Sequence, residues 1–343
     1  VVKIFIIELI LSSIISAAAW YGDLLDYAVR MGRGQLKIIT QTKSTEKWLK
    51  NPEVPDSVKY KILLVDEIRR FCFDSLGLKP TKSYTRIYDQ GGKPLLWVVT
   101  ASERYALKPK LWKFPLVGAV SYKGFFDEDW ALKELNELKQ AGYDARIREV
   151  NAWSTLGYFN DPILSEMLNK KEGELANVII HELSHGTIFI EGDVEESENL
   201  ASFIGDVGAE KFLRTRFGAN SPQLREYIND ENDYKKLTTH MIGGAKILDS
   251  LYSAQGFIQN DEAKKLEMKN QTIKSIIEKI DTITFSIPAR YPKLRNNKET
   301  HDNSLFIEYR QYYNKQDKYF SEYSAYGSNL RNYIAVLRQK FER

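Results

Sequence analysis

Apolar positions recur every three to four residues at both ends of this chain and gather into short dense runs in its middle. Trp20 to Thr40 carries the helical spacing and predicts an amphipathic helix. Lys43 to Leu76 predicts a helical pair, broken at Asn51-Pro52 and Pro55, where proline cannot donate a backbone hydrogen bond. Leu95 to Thr100 (Leu-Leu-Trp-Val-Val-Thr) is β-branched and aromatic and predicts a strand. Phe114 to Tyr122 is a second strand, bounded by Pro115 and Gly124. Asp127 to Gly142 predicts a helix, with acids in its first turn and glycine at its end. Asp144 to Val150 is a third short strand. Glu172 to Ile190 predicts a helix, and another runs from Glu195 to Phe217. From Pro222 to Arg343 the period is helical, with a loop at Ile287-Pro288 through Asn303. No internal repeat interrupts this order.

Helices, a strand-rich middle and helices again, without sustained βαβ alternation, predict an α+β fold. It has a small mixed sheet, one helix carrying the chemistry and a mainly helical C-terminal half. The run from Ile4 to Ala19 stands apart. Lys3 precedes it, Glu8 interrupts it and Ala17-Ala18-Ala19 close it. It is short for a span, which needs about 20 residues. A basic start, an apolar core and small closing residues predict a signal peptide or an uncleaved N-terminal anchor over residues 1–20. The expected location is the cell envelope, facing away from the cytoplasm, with any membrane contact made through this segment.

Composition narrows the function mainly by exclusion. At 343 residues, 43% hydrophobic and 28% charged, the chain has room for one large domain or two small ones. Its 49 Lys+Arg against 46 Asp+Glu leave a net charge of +3, so there is no electrostatic case for nucleic acid. The single cysteine, Cys72, excludes an internal disulfide and a cysteine-rich zinc site. No Gly-x-Ser-x-Gly elbow is present. Any metal is therefore held by histidine and carboxylate. Tyrosines crowd the C-terminal part (Tyr309, Tyr312, Tyr313, Tyr319, Tyr323, Tyr326, Tyr333), where helix packing is their expected role.

Of four histidines, two lie four apart in His181-Glu182-Leu183-Ser184-His185. On a helix this spacing puts both imidazoles on one face. The adjoining Glu182 is set toward the open side of a metal, where a carboxylate can act as general base. Val178-Ile179-Ile180 make this a buried helix rather than a solvated one. A catalytic zinc needs a third protein ligand. Glu191, Asp193, Glu195, Glu196, Glu198, Asp206 and Glu210 all lie downstream. The turn at Gly192-Asp193 returns the chain, and Glu198, followed by the small Ala201, is the chosen ligand; Glu195 and Glu196 compete with it.

Several segments together resemble the bacterial family of predicted zinc aminopeptidases, envelope proteins related to the gluzincins. They are Tyr27 through Gly34-Gln35-Leu36, Trp97-Val98-Val99, Phe114 to Gly118, Val120 to Gly124, Ser154 to Pro162 and His181 to His185. Gly192-Asp193, Glu198 with Ala201 and Phe203, and Asn303 with Tyr309-Arg310 and Tyr312 complete them. The family's Glu-x-x-Ala unit falls on Glu198 to Ala201, so the resemblance implies Glu198 as third ligand. Ser197 stands where the family usually has asparagine, and the leader lacks the lipoprotein cysteine of many members.

The resemblance implies a zincin-like fold, one Zn2+ per chain and a peptide substrate. Residues 21–343 would form a single peptidase domain, with a metal-site core at 93–220 and a helical part at 221–343. Tyr309, Tyr312 and His301 are candidates to stabilise the oxyanion, and Tyr309 is taken for that role. The strand from Gly118 to Tyr122 could pair with an extended substrate or be an ordinary core strand. The Gly157 to Pro162 segment lines the cleft or forms a tight turn. The acidic run from Glu191 to Glu196 could hold a substrate amine, with no single residue selected. The rival reading is a catalytically inactive zincin-fold binding or scaffold protein of the envelope. The retained Glu182 argues for the enzyme.

Overall fold

A computed structural model of the chain describes Gly22 and residues 24–114, 118–150, 160–288, 301–313 and 316–341. The chain divides into two compact units, residues 1–42 and 43–343. In the first, residues 24–40 form helix α1, which leaves Leu25, Val29 and Leu36 exposed. The expected leader over residues 1–20 lies outside the described residues. Among the described residues no helix is long and apolar enough to cross a membrane.

The second unit opens with β1 (Lys43–Ser44), α2 (Thr45–Lys50) and α3 (Asp56–Phe71). The Ser44 hydroxyl accepts the Lys47 N–H and caps α2. Then come β2 (Arg86–Tyr88), β3 (Leu96–Ser102), β4 (Trp112–Phe114), β5 (Gly118–Val120), β6 (Tyr122–Phe125), α4 (Glu128–Gln140), β7 (Asp144–Val150) and β8 (Ile163–Leu164). The helical remainder comprises α5 (Glu172–His185), α6 (Val194–Phe217), α7 (Pro222–Ser253), α8 (Gln255–Ile258), α9 (Glu262–Glu278), α10 (Asn303–Tyr313), α11 (Gln316–Ala325) and α12 (Leu330–Phe341).

The fold is α+β and mostly helical, as the pattern predicts, but among the described residues the strands build three small sheets rather than one. β6, β3 and β7 form an antiparallel sheet in that order. β4 and β5 form a two-stranded ribbon. β2 pairs antiparallel with β1 and parallel with β8, so mixed pairing is confined to that sheet. The expected Phe114–Tyr122 strand is thus divided between β4, β5 and the start of β6, and residues 115–117 lie outside the described ones. β3 reads as a continuous apolar run because α4 and α10 both pack on it, burying all but Trp97.

Helix α5 sits among α3, α6 and α7. Leu175, Ala176, Ile179, Ile180 and Leu183 are buried, the stripe a core helix needs. A second core joins α7, α9 and α10 through Leu237, Met241, Leu248, Ile273, Ile276 and Phe306. Phe203 of α6 anchors a third cluster, with its ring 5.0–5.9 Å from those of Tyr319, Phe320, Tyr323 and Tyr333. These C-terminal tyrosines are therefore packing residues.

One polar knot ties the second core to the antiparallel sheet. Lys269 of α9 is buried and ion-pairs with Asp144 at the start of β7. Its ammonium also donates to the Arg104 carbonyl at 3.0 Å. The Asn303 N–H donates to the same Asp144 carboxylate at 2.9 Å. The Asn303 side-chain amide donates to the Glu103 and Arg104 carbonyls, and Tyr252 donates to its oxygen at 2.7 Å. Charges this deep persist only when paired and hydrogen-bonded.

Candidate metal centre

Helix α5 ends at His185, earlier than the expected Ile190. The Ser184 carbonyl accepts the N–H groups of Thr187 and Ile188 at 2.9 and 2.8 Å, which closes the helix. The chain then turns at Gly192, whose φ of +79° lies in the left-handed region that favours glycine. The Asp193 side chain accepts the Glu196 N–H at 2.9 Å and caps α6. The buried Ser197 hydroxyl accepts the Ile190 N–H at 3.0 Å and donates to the Asp193 carbonyl at 3.0 Å. Ser197 is thus the pin of the α5–α6 hairpin. Further along, an added Cβ at Gly205 would meet His181 Cβ at 3.2 Å, so this glycine permits the close approach of the two helices.

That approach brings three of the expected site residues together. His181 Nε2 and His185 Nε2 are 3.2 Å apart. The Glu198 carboxylate lies 3.4 Å from the first and 3.5 Å from the second. The Glu182 carboxylate stands a little farther out, forming with both histidines a cluster whose donor atoms lie within 4.8 Å of one another. A tetrahedral zinc with bonds of about 2.0–2.1 Å separates its ligands by about 3.3 Å. The three shorter separations match that edge, and two imidazoles with one carboxylate are a donor set zinc takes. The residues therefore fit the metal.

The electrostatics of the bare site point the same way. Burial opposes ionisation of Glu198, yet its contacts with His181 and His185 win and hold the carboxyl far below its usual range. Burial also opposes the charged form of His181, but Glu198, with Glu182 nearby, outweighs it and raises the imidazole pKa. The cluster thus favours positive charge between the three groups. His185 is buried, and its Nδ1 has no hydrogen-bond partner among the described residues.

Around this centre, Asn177 sits one turn before His181. Its amide donates to Asp206 at 2.7 Å and to the Tyr227 hydroxyl at 2.8 Å. Burial pushes the Asp206 carboxyl up to about 6, against the pull of the Asn177 bond and of His181. Tyr84 is a neighbour that sequence reasoning missed. It is buried, with φ of 62° in the left-handed region, and its N–H donates to the Asp161 carbonyl at 2.6 Å. Burial, with the Glu182 and Asp161 carboxylates, pushes its phenol far above the usual range. Nothing in the local sequence signals a strained tyrosine there; only the tertiary fold imposes it.

None of the other candidates joins the trio of His181, His185 and Glu198. Glu196 ion-pairs with Lys318 of α11 at 2.6 Å. The side chains of Glu195 and Tyr312 lie outside the described part. Tyr309 is half-buried and leans on the core shared by α7, α9 and α10. His301 is half-buried just before α10. Of the Gly157–Pro162 segment, residues 157–159 lie outside the described ones, while Asn160 is exposed and Asp161 and Pro162 are buried.

The model of the family described as "Putative aminopeptidase" matches residues 26–342, and the chain belongs to that family. No curated protein and no solved structure matches it.

Proposed function

From that membership and the geometry at α5 and α6, we propose that the protein is a zinc-dependent aminopeptidase with a zincin-like core. His181, His185 and Glu198 would hold one Zn2+ per chain, and Glu182 would serve as general base. The observation that carries this reading is the convergence of the two Nε2 atoms and the Glu198 carboxylate at 3.2, 3.4 and 3.5 Å. Bound there, zinc would supply Lewis acidity, polarising a peptide carbonyl and making water acidic.

The chain's own residues do the rest. Glu182 adjoins His181 and lies outside the tighter trio, so it is free to accept a proton from the attacking water. It then delivers that proton to the leaving amine. Buried His185 and the pinned hairpin hold the donors still, so little reorganisation accompanies the reaction. Tyr309 is the proposed oxyanion partner. An extended substrate would lie along β5. The domain reading follows from the same proposal: a peptidase domain over residues 21–343, with the metal-site core at 93–220. The apolar leader supports a place in the cell envelope, with membrane contact through residues 1–20. The intact Glu182 supports an enzyme over an inactive zincin-fold scaffold.

Metal analysis of purified protein is expected to give about one zinc per chain, lost in His185→Ala. Glu182→Gln should keep the zinc and lose hydrolysis of peptides with free N-termini. Wild-type activity in Glu182→Gln would refute the proposed base. Equal cleavage of free and acetylated peptides would make the enzyme an endopeptidase instead.

A further inference from the structure

We propose, on the peptidase reading of α5 and α6, that Tyr84 is a further catalytic residue: its buried hydroxyl and the Glu182 carboxylate together hold the water that attacks the peptide bond. Tyr84 comes from the segment between α3 and β2, far from the histidine helix in sequence. It is 3% exposed, and its hydroxyl makes no hydrogen bond among the described residues. The half-buried Glu182 carboxylate has neither a hydrogen bond nor an ion pair among the described residues. Of the charged groups around the phenol, Glu182 acts on it most strongly, ahead of Asp161. An unpaired donor and an unpaired acceptor therefore stand side by side next to the metal trio.

The backbone holds the ring there against its own preference. Tyr84 has φ of 62°, an outlier for a bulky side chain. Hydrogen bonds on both sides fix that conformation. Arg69 of α3 donates to the Thr81 and Ser83 carbonyls at 2.9 and 2.7 Å. The buried Ser83 hydroxyl accepts the Asp161 N–H at 3.1 Å, and the Tyr84 N–H returns to the Asp161 carbonyl. The Thr85 carbonyl accepts the Thr45 N–H at 3.2 Å. Upstream, the Lys79 N–H donates to the hydroxyl of Thr187, two residues past His185, at 3.0 Å. The segment is thereby tied to the end of the histidine helix. A strained conformation persists where the surroundings over-determine it, and such residues cluster at active sites. Packing alone accounts for the buried ring, but not for a hydroxyl left unpaired, since buried polar groups find partners.

A water between the two groups satisfies both: it donates to Glu182 and accepts from Tyr84. In the reaction the water oxygen bonds to the carbonyl carbon and its proton passes to Glu182, while Tyr84 keeps its own hydrogen. By engaging one lone pair of that oxygen, Tyr84 sets the direction in which another meets the carbonyl. It also stabilises the charge the oxygen retains in the tetrahedral state. Burial and the neighbouring carboxylates hold the phenol far above its usual range, so it remains a donor at any working pH.

Tyr84→Phe in the zinc-loaded full chain tests this, because it keeps the ring, the core and the backbone strain. On a peptide with a free N-terminus kcat is expected to fall about 100-fold, the loss typical of one donor at a developing charge, with KM within about threefold. Calorimetry gives a readout without turnover. A phosphinic dipeptide, which mimics the tetrahedral state, should bind more weakly by about the same factor, and the plain dipeptide product should not. Zinc affinity should be unchanged. A chain with 3-fluorotyrosine at position 84 retains the hydroxyl and should recover most of kcat; it also keeps the test decisive if Tyr84→Phe fails to fold. Wild-type kcat in Tyr84→Phe, equal weakening of both ligands, or no recovery with 3-fluorotyrosine overturns the role of Tyr84 and leaves the peptidase reading intact. Absence of hydrolysis in the zinc-loaded wild type overturns the peptidase reading itself, and the role of Tyr84 with it.

Discussion

Replacing Glu198 by glutamine changes one charge and almost no volume, so its effects isolate the carboxylate. The side chain stands 3.4 Å from His181 Nε2 and 3.5 Å from His185 Nε2 and is the third donor of the trio. Partners one step removed from a metal are worth about 10–100-fold in affinity. A direct ligand should exceed that, so zinc is expected to bind Glu198→Gln more than about 100-fold more weakly, roughly 2.7 kcal/mol. Competition against a chelating fluorophore at neutral pH reads this directly. Glu196→Gln is the control, since that carboxylate is committed to Lys318. If Glu198→Gln held zinc within about tenfold of wild type, the third ligand would have to be sought elsewhere.

The metal-free protein offers an independent reading of the same residue. Glu198 titrates below its ordinary 4.5, so its contribution is present above that pH and lost as pH falls through the lower folded value. His181 titrates above its ordinary 6.5, so its contribution is full below 6.5 and fades as pH rises through the raised value. The chelated wild type should therefore gain most from the trio between 4.5 and 6.5. In Glu198→Gln that gain should be absent from a series of thermal melts.

Lys269→Met leaves the buried Asp144 carboxylate without its cation and should cost about 3–5 kcal/mol in urea unfolding; adding Asp144→Leu should recover part of it, and a loss below about 1 kcal/mol would contradict a paired buried charge. Asp233 of α7 accepts the N–H groups of Ser286 and Ile287 at 2.8 and 2.9 Å, and these bonds overcome burial to lower its pKa. Asp233→Asn should cost about 2 kcal/mol at neutral pH, and the gap from wild type should close only as pH falls below 3.8, measured by melts across pH. Gly173→Ala puts a Cβ 2.5 Å from the Tyr227 ring. The overpacking of about 1–3 kcal/mol should outweigh a helix gain of at most about 1 kcal/mol, lowering the denaturation midpoint.

What could be read without coordinates was the chemistry that local spacing carries. Histidines four positions apart share one helical face wherever the helix forms, and the apolar Val178-Ile179-Ile180 make burial of that helix readable. The strand from Asp144 to Val150 was readable because it is long enough to show its pattern. β2 and β8, at three and two residues, are too short to show any period. The sequence pattern carries helix α5 on to Ile190 because Thr187-Ile188-Phe189-Ile190 is apolar enough to continue it. The early stop comes from the Ser184 carbonyl and from Ser197, a bond partner across the hairpin. Lys269 would be read as a surface lysine, since only the meeting of α9 with β7 buries it. The strained Tyr84 depends on segments distant in sequence, and so no window of residues could have contained its setting.

The backbone N–H of Phe189, just past the histidine helix, donates to the carbonyl of Phe341 in α12 at 3.2 Å. Arg338 of the same helix donates to the Gly77 carbonyl at 2.9 Å. During synthesis, therefore, the α5–α6 hairpin can emerge and pair early, but its loop keeps an unmet bond until residue 341 has left the ribosome. The nascent chain would carry a half-finished site through the making of residues 218–341. A truncation or fusion placed at α12 would then register first as weak metal retention at His185, far upstream of the alteration.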